Sequence, residues 1–284
     1  MSPAPSLALT GVTGHVGGLV ARELAAAGLP LRLLARDPGR APDLPGATVL
    51  PLSYGDAAQA ATALAGVDVL LLVSASESAD RREQHLRVVD AAAAAGVRHV
   101  VYTSFVAAAP DATFTLGRDH WATEERIRAA GLGWTLVRDN FYSDFLAEVA
   151  GPDGAIRGPA GDGAVAAVAR ADVARSLAAV LRDPAAHRGR SYDLTGPAAL
   201  TLAEVAAVLT RVTGRPTRYV AETLPEAYAS RASYGAPDWQ VEAWVSTYTA
   251  IARGEVAAVS PHVRDLTGRE PVSLEQLLRS RSEG

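Results

Sequence analysis

The stretch Thr10-Gly11-Val12-Thr13-Gly14-His15-Val16-Gly17 constrains the fold of this chain more than any other. It follows the apolar run Leu7-Ala8-Leu9 and leads into Leu19-Val20-Ala21-Arg22-Glu23-Leu24, whose apolar residues recur at helical spacing. A strand, a glycine-rich turn and a helix in that order make a phosphate cradle. Glycine lets the backbone turn sharply and come close to a ligand, and the helix N-terminus aims unpaired N–H groups and its dipole at a pyrophosphate. The segment therefore predicts a bound dinucleotide held at the turn of Gly11, Gly14 and Gly17, with Thr13, His15 and Val16 in the same loop. At His15 the backbone is expected to matter more than the ring.

Apolar runs recur downstream at Leu31–Ala35, Ala47–Leu50, Val67–Val73, Val97–Tyr102 and Gly133–Val137. Helical segments fall between them at about Ala57–Ala65, Arg81–Ala95 and His120–Ala130. Near-continuous apolar strands alternating with helices predict a parallel sheet covered on both faces, and right-handed crossovers make it a doubly wound α/β Rossmann fold. After about residue 150 the alternation weakens at Gly151-Pro152-Asp153-Gly154 and Gly158-Pro159-Ala160-Gly161-Asp162-Gly163. The expected organisation is a NAD(P)-binding domain over 1–150, to which 164–196 returns, and a smaller substrate-covering α/β lobe over 151–284. In that lobe Thr201–Thr213 reads as a helix with Thr201 as N-cap and Glu204 completing a capping box. Helices are also expected at Asp238–Ala252, Leu224–Ala229 and Ser273–Leu278.

At 284 residues, with 49% hydrophobic and 20% charged residues, the chain can bury a full globular core. A net charge of −4 and the absence of a basic tract argue against nucleic acid as a partner. No apolar run is long enough to cross a bilayer, and Met1-Ser2-Pro3-Ala4-Pro5 does not read as a signal peptide, so no membrane partner and a cytoplasmic location are expected. Without cysteine there is no disulfide, thiolate nucleophile or zinc–thiolate site, and the six histidines do not cluster, so no metal is expected. The chain also contains no lysine; all 27 basic residues are arginine. That excludes lysine Schiff-base chemistry and the tyrosine–lysine pair of ordinary short-chain dehydrogenases. The sequence leaves homo-oligomerisation open.

In an open parallel sheet ligands sit at the carboxyl ends of the strands. The second strand ends at Arg36, which suits the 2′-phosphate of NADPH, with Arg40 nearby; Asp37 is the rival, as an acid for the 2′-OH of NADH. NADPH is the preferred cofactor and NADH the less favoured one. After the third strand Asp56 can accept from an adenine amino group or cap the next helix. After the fourth, Ser74, Ala75 and Ser76 let ribose and phosphates pass close to the backbone. The fifth ends at Ser104, a substrate-binding position in short-chain reductases, while Tyr102 is followed four residues later by Val106 instead of lysine.

These segments resemble the type 2 NAD(P)H:quinone oxidoreductases within the NmrA-like atypical short-chain reductases. The resemblance is carried by Thr10–Gly17, Ala35-Arg36-Asp37-Pro38, Tyr54-Gly55-Asp56, Ser76-Glu77 with Gln84-His85, and Tyr102-Thr103-Ser104. It continues in Asp119-His120 with Thr123-Glu124, Thr135–Arg138, Tyr142-Ser143, Ala160–Gly163, Arg170-Ala171-Asp172 and Leu266–Arg269, so it spans nearly the whole chain. It implies an NADPH-dependent reductase that passes hydride to a quinone or a similar small electron acceptor. It also implies that Asp139, Asn140, Phe141, Tyr142 and Arg170 contact the cofactor. The chain departs from the family pattern at Asp139-Asn140-Phe141 and at Asp144-Phe145, on the nicotinamide side.

Quinone reduction asks the protein mainly to position two flat rings and exclude solvent. His120 is the expected proton donor or substrate-orienting group, with Tyr142 second. Trp239, Trp244 and Tyr248 share helical spacing and fit either a substrate wall or core packing. Two rivals remain: a non-catalytic NADP(H)-binding sensor of the NmrA type, and a reductase of another carbonyl, enone or dye acceptor.

Overall fold

The structure is a computed structural model describing residues 5–282; Met1–Ala4, part of the segment read above for a leader, lie outside the described residues. The first elements are β1 (Leu7–Leu9), α1 (His15–Ala26), β2 (Leu31–Ala35), β3 (Ala47–Pro51), α2 (Ala57–Leu64), β4 (Val69–Leu72) and α3 (Arg81–Ala94). They are followed by β5 (His99–Phe105), α4 (Thr115–Ala129), β6 (Gly133–Asp139), α5 (Ser143–Leu146), β7 (Ala155–Gly158), β8 (Ala164–Val165), α6 (Arg170–Arg182) and β9 (Arg190–Leu194). The last are β10 (Leu200–Thr201), α7 (Leu202–Thr213), β11 (Arg218–Ala221), α8 (Leu224–Arg231), α9 (Asp238–Ala252), α10 (His262–Thr267) and α11 (Leu274–Ser282).

Seven strands form the main sheet in the order β3-β2-β1-β4-β5-β6-β9. The pairs β3–β2, β2–β1, β1–β4 and β4–β5 are parallel. Every residue of β4 and β5 is buried, as the unbroken apolar runs required. Order reverses between β1 and β4, and this switch point is where a doubly wound sheet opens a ligand crevice. Thr10 stitches the two strands there: its N–H donates to the Leu71 carbonyl at 3.0 Å, and its Oγ1 accepts from Val73 N at 2.9 Å. The doubly wound Rossmann fold expected from the alternation is the fold observed.

The chain divides into two units that interleave in sequence; the expectation was 1–150 with 164–196 returning to it, and a lobe over 151–284. One comprises the chain through Ser104, Asp119–Arg138 and Val173–Tyr192; the other Phe105–Arg118, Asp139–Asp172 and the chain from Asp193 onward. The first unit packs α2 and α3 over the sheet on Leu34, Leu64, Leu70, Val88, Ile127 and Leu136. The second has its own core, including Ile156, Val205, Leu209, Ile251 and Leu278. It contains the parallel pair β7–β11 and the antiparallel pair β8–β10. The capping box at Thr201 and Glu204 is present, and a second one at Thr223 and Glu226 starts α8. Among the described residues no helix is long and apolar enough to cross a membrane.

Two segments differ from the sequence reading. Helix α4 starts at Thr115, five residues before the expected His120, so His120 lies inside the helix with its ring buried. The aromatic row of α9 is split. Tyr248 is buried beneath the Arg231 guanidinium, 5.1 Å from its ring centre, whereas Trp244 meets Tyr234 edge-on at 5.9 Å.

Candidate cofactor and active site

The cradle at the end of β1 is built from backbone. Gly11 has φ +66°, and a Cβ there would lie 2.8 Å from the Cβ of Val73. A Cβ on Gly17 would come within 2.6 Å of the Gly11 carbonyl carbon and 2.9 Å of the Thr10 oxygen. Glycine at these two positions is thus what lets α1 pack onto the turn. Gly14 N-caps α1 with no side-chain hydrogen bond, and Thr13, Gly14 and His15 are exposed. The amides of the first helical turn have no intrahelical acceptor, so this end of α1 suits a pyrophosphate.

Around it, the strand ends supply further groups. Arg36 is exposed at the end of β2, whereas the Asp37 carboxylate accepts from Gly39 N at 3.1 Å and caps the short turn Pro38–Arg40. That leaves Arg36 as the group better disposed toward a ligand, and a cation there suits a 2′-phosphate. Asp56 caps α2, accepting from Gln59 N at 2.9 Å. Tyr54 donates to the Val73 carbonyl at 3.4 Å, and burial pushes its hydroxyl pKa up to about 12.

Beyond β4, the Ser74–Ser76 loop is tied down from behind. Ser74 N donates to Thr103 Oγ1 at 2.7 Å, Ala75 N to His85 Nε2 at 2.8 Å, and Arg81 Nε to the Ala75 carbonyl at 2.9 Å. Arg81 is itself buried, bridging to Asp119 at 3.1 Å and reaching His120 Nε2 at 3.0 Å. His120 Nδ1 lies 3.0 Å from the Tyr102 hydroxyl, and His85 Nδ1 lies 3.1 Å from Thr123 Oγ1. Burial, reinforced by the Arg81 cation, lowers the pKa of His85 to about 3 and holds that of His120 well below the usual histidine range. Both rings are therefore neutral near pH 7. Ser104 is fully buried and donates to Glu124 Oε1 at 2.6 Å; Glu124 in turn holds Arg138 through bonds of 2.8 and 2.7 Å.

The second unit brings together Asp139, Tyr142 and Arg170. The Tyr142 hydroxyl donates to Asp139 Oδ2 at 2.5 Å, and the Arg170 guanidinium lies 5.0 Å from the Tyr142 ring centre. Burial, then the Asp139 carboxylate, hold the Tyr142 pKa well above the usual phenol value. Asp172 accepts from Val272 N at 2.7 Å, so its carboxylate secures the C-terminal segment. Asn140 is committed to structure, donating to the Val256 carbonyl and accepting from Phe141 N. Phe141 packs 5.0 Å from Phe105 and 5.1 Å from Phe114.

Sequence reasoning assigned no role to Arg81, read His85 only as structural or exposed, and met Glu124 only as part of a matching segment. The usable signal was the four-residue spacing of Arg81 and His85 immediately after a strand-end loop, which puts both on one helix face.

A doubly wound sheet with a backbone-built anion cradle at its switch point defines a dinucleotide-binding protein. Residues 11–184 match the NAD(P)H-binding family. Quinone oxidoreductase 2 of Escherichia coli is 34% identical over 94% of this chain and 96% of its own length. A (4-alkanoyl-5-oxo-2,5-dihydrofuran-3-yl)methyl phosphate reductase of Streptomyces griseus is 40% identical over 92% of each chain. The crystal structure of the NADPH-dependent quinone oxidoreductase of Escherichia coli complexed with NADPH superposes with a TM-score of 0.89. It is 33% identical and covers 98% of this chain and all of that one. The chain belongs to the NAD(P)H-binding family, with Quinone oxidoreductase 2 of Escherichia coli among its relatives.

Proposed function

We propose that this chain is an NADPH-dependent oxidoreductase that reduces a quinone or a similar electron-poor acceptor. The observation that carries the reading is the Gly11–Gly17 cradle, with exposed Arg36 beside an Asp37 already engaged in its own turn. When bound, NADPH supplies a hydride from its nicotinamide ring. The α1 N-terminus takes the pyrophosphate, Arg36 the 2′-phosphate, Asp56 the adenine side, and the Ser74–Ser76 loop the phosphate and ribose chain. Ser104 acts through Glu124 and Arg138, fixing the ends of β5 and β6. Asp139, Asn140, Phe141, Tyr142 and Arg170 form the nicotinamide side.

The proton that follows the hydride comes from solvent. His120 is neutral, and because an arginine only donates, its Nε2 must accept from Arg81. We therefore assign His120 an orienting role instead of proton donation. Tyr142 spends its hydroxyl proton on Asp139, which fixes the ring beneath Arg170. Acceptors of this kind share one requirement, a conjugated system that spreads the incoming electron pair onto an oxygen; quinones and acyl-furanones both meet it.

The test is oxidation of NADPH and of NADH against a panel of quinones and enones. Acceptor-dependent oxidation favouring NADPH supports the reading. Cofactor binding with no turnover on any acceptor would favour a sensor. Because His120 and Tyr142 titrate far from neutrality, kcat/KM should carry no ionisation of a histidine near pH 6.5.

A further inference from the structure

We infer that Arg81 and His85 are positioning residues that fix the peptide groups on both sides of Ala75, and with them the Ser74–Ser76 loop, for the cofactor. The inference rests on the cofactor role proposed for that loop. Ala75 is in a segment without regular secondary structure, yet both of its backbone polar atoms are bonded by side chains from one helix. Its N–H donates to His85 Nε2 at 2.8 Å, and its carbonyl accepts from Arg81 Nε at 2.9 Å. The two side chains stand four residues apart at the start of α3, so a single helical turn grips the two peptide groups that flank one residue.

The grip is specified from behind. The Ala75 N–H can only donate, so His85 Nε2 is bare and its proton sits on Nδ1, facing Thr123 Oγ1 at 3.1 Å. Arg81 can only donate, so His120 Nε2 is bare and its proton also sits on Nδ1, 3.0 Å from the Tyr102 hydroxyl. Asp119 balances the guanidinium at 3.1 Å. Both tautomers follow from the two ends of the grip, and burial of His85, His120 and Arg81 keeps water from competing for them. Next to Ala75, Ser74 N is held by Thr103, and on the other side of the switch point Val73 abuts Gly11. The loop is thus referenced to the strand that carries the phosphate cradle.

The test compares His85→Leu, which cannot accept the Ala75 N–H, with His85→Gln, whose side-chain oxygen can. NADPH Kd, steady-state kinetics and amide hydrogen exchange at Ala75 are measured on each. H85L is expected to raise NADPH Kd and KM about ten-fold, to leave kcat at saturation nearly unchanged, and to speed exchange of the Ala75 amide. H85Q is expected to restore most of both. If H85L does not fold, His85→Asn, polar but too short to reach the amide, carries the comparison. Unchanged Ala75 protection in the variants overturns the grip. A freed amide with unaltered NADPH affinity overturns its bearing on the cofactor while leaving the reductase reading intact. Failure of the wild-type chain to bind NADPH overturns both.

Discussion

The β1–α1 turn and the Asp139–Tyr142 segment, each proposed above as a cofactor contact, are made differently. The turn is backbone: Gly11, Gly14 and Gly17 contribute the absence of side chains, and α1 contributes amides. The later segment is side chain: a phenol on a carboxylate, a guanidinium against the phenol ring, and Phe141 among other rings. At Gly11 and Gly17 the backbone site accepts almost no substitution, because a Cβ there meets the Val73 side chain or the backbone of the turn. A side-chain site can be rebuilt residue by residue around the same fold. Constant cofactor and variable acceptor are therefore the expected partition of labour, with departures from the family pattern falling at Asp139-Asn140-Phe141.

Gly17→Ala should break the comparison most sharply. Its methyl group would collide with the Gly11 carbonyl, costing on the order of 3 kcal/mol of stability and abolishing NADPH-dependent turnover for every acceptor alike. Wild-type NADPH affinity in this variant, by titration, would mean the turn is not the cradle.

Acid should separate the two units next. His85 and His99 have folded pKa values of about 3 and about 4 against 6.5 when unfolded. Below pH 6.5 the unfolded chain takes up protons that the folded chain refuses, so their contribution is whole above that pH and shrinks as pH falls. The slope is about 1.4 kcal/mol per pH unit for each histidine until the folded values are reached. Both residues belong to the first unit. Amide exchange at about pH 5 should therefore rise there first, and equal loosening of both units would contradict this.

Arg36→Ala should weaken NADPH about ten-fold or more through loss of a charge-assisted contact while sparing NADH; equal losses in competition titrations would remove the 2′-phosphate assignment. Tyr142→Phe should have the smallest effect, a few-fold fall in kcat/KM that differs between acceptors while the KM for NADPH holds. A uniform fall across the panel would make Tyr142 a cofactor residue only.

What the sequence revealed follows the same division. Gly11, Gly14 and Gly17 could be read from their spacing, with Gly11 and Gly17 held to glycine by close approach, and β4 and β5 from their unbroken apolar runs. Glu124 and Arg81 could not, since a charged residue on a helix ordinarily reads as solvated, and only tertiary contact shows that these are buried. The start of α4 was missed because Thr115–Asp119 carries a glycine and charges with no apolar stripe. His120 as a proton donor was the natural reading of an unperturbed imidazole; enclosure beside Arg81, invisible in one dimension, changes its chemistry. The pairs β7–β11 and β8–β10 lie in short segments whose strand character depends on finding each other.

The interleaving of the two units also governs how the molecule can be made. The chain passes from one unit to the other five times, and the first unit is complete in sequence only at Tyr192, after two segments of the second have been written. A ribosome releasing this chain would expose β1 and the glycine turn early, but β9, which begins at Arg190, arrives only after two segments of the second unit, Phe105–Arg118 and Asp139–Asp172, have emerged. Folding must then wait on late contacts, which lengthens the search and leaves nascent sheet edges open to aggregation. No single cut yields a transplantable module, so exchanging acceptor specificity between relatives calls for grafting short strand-end loops instead of whole halves.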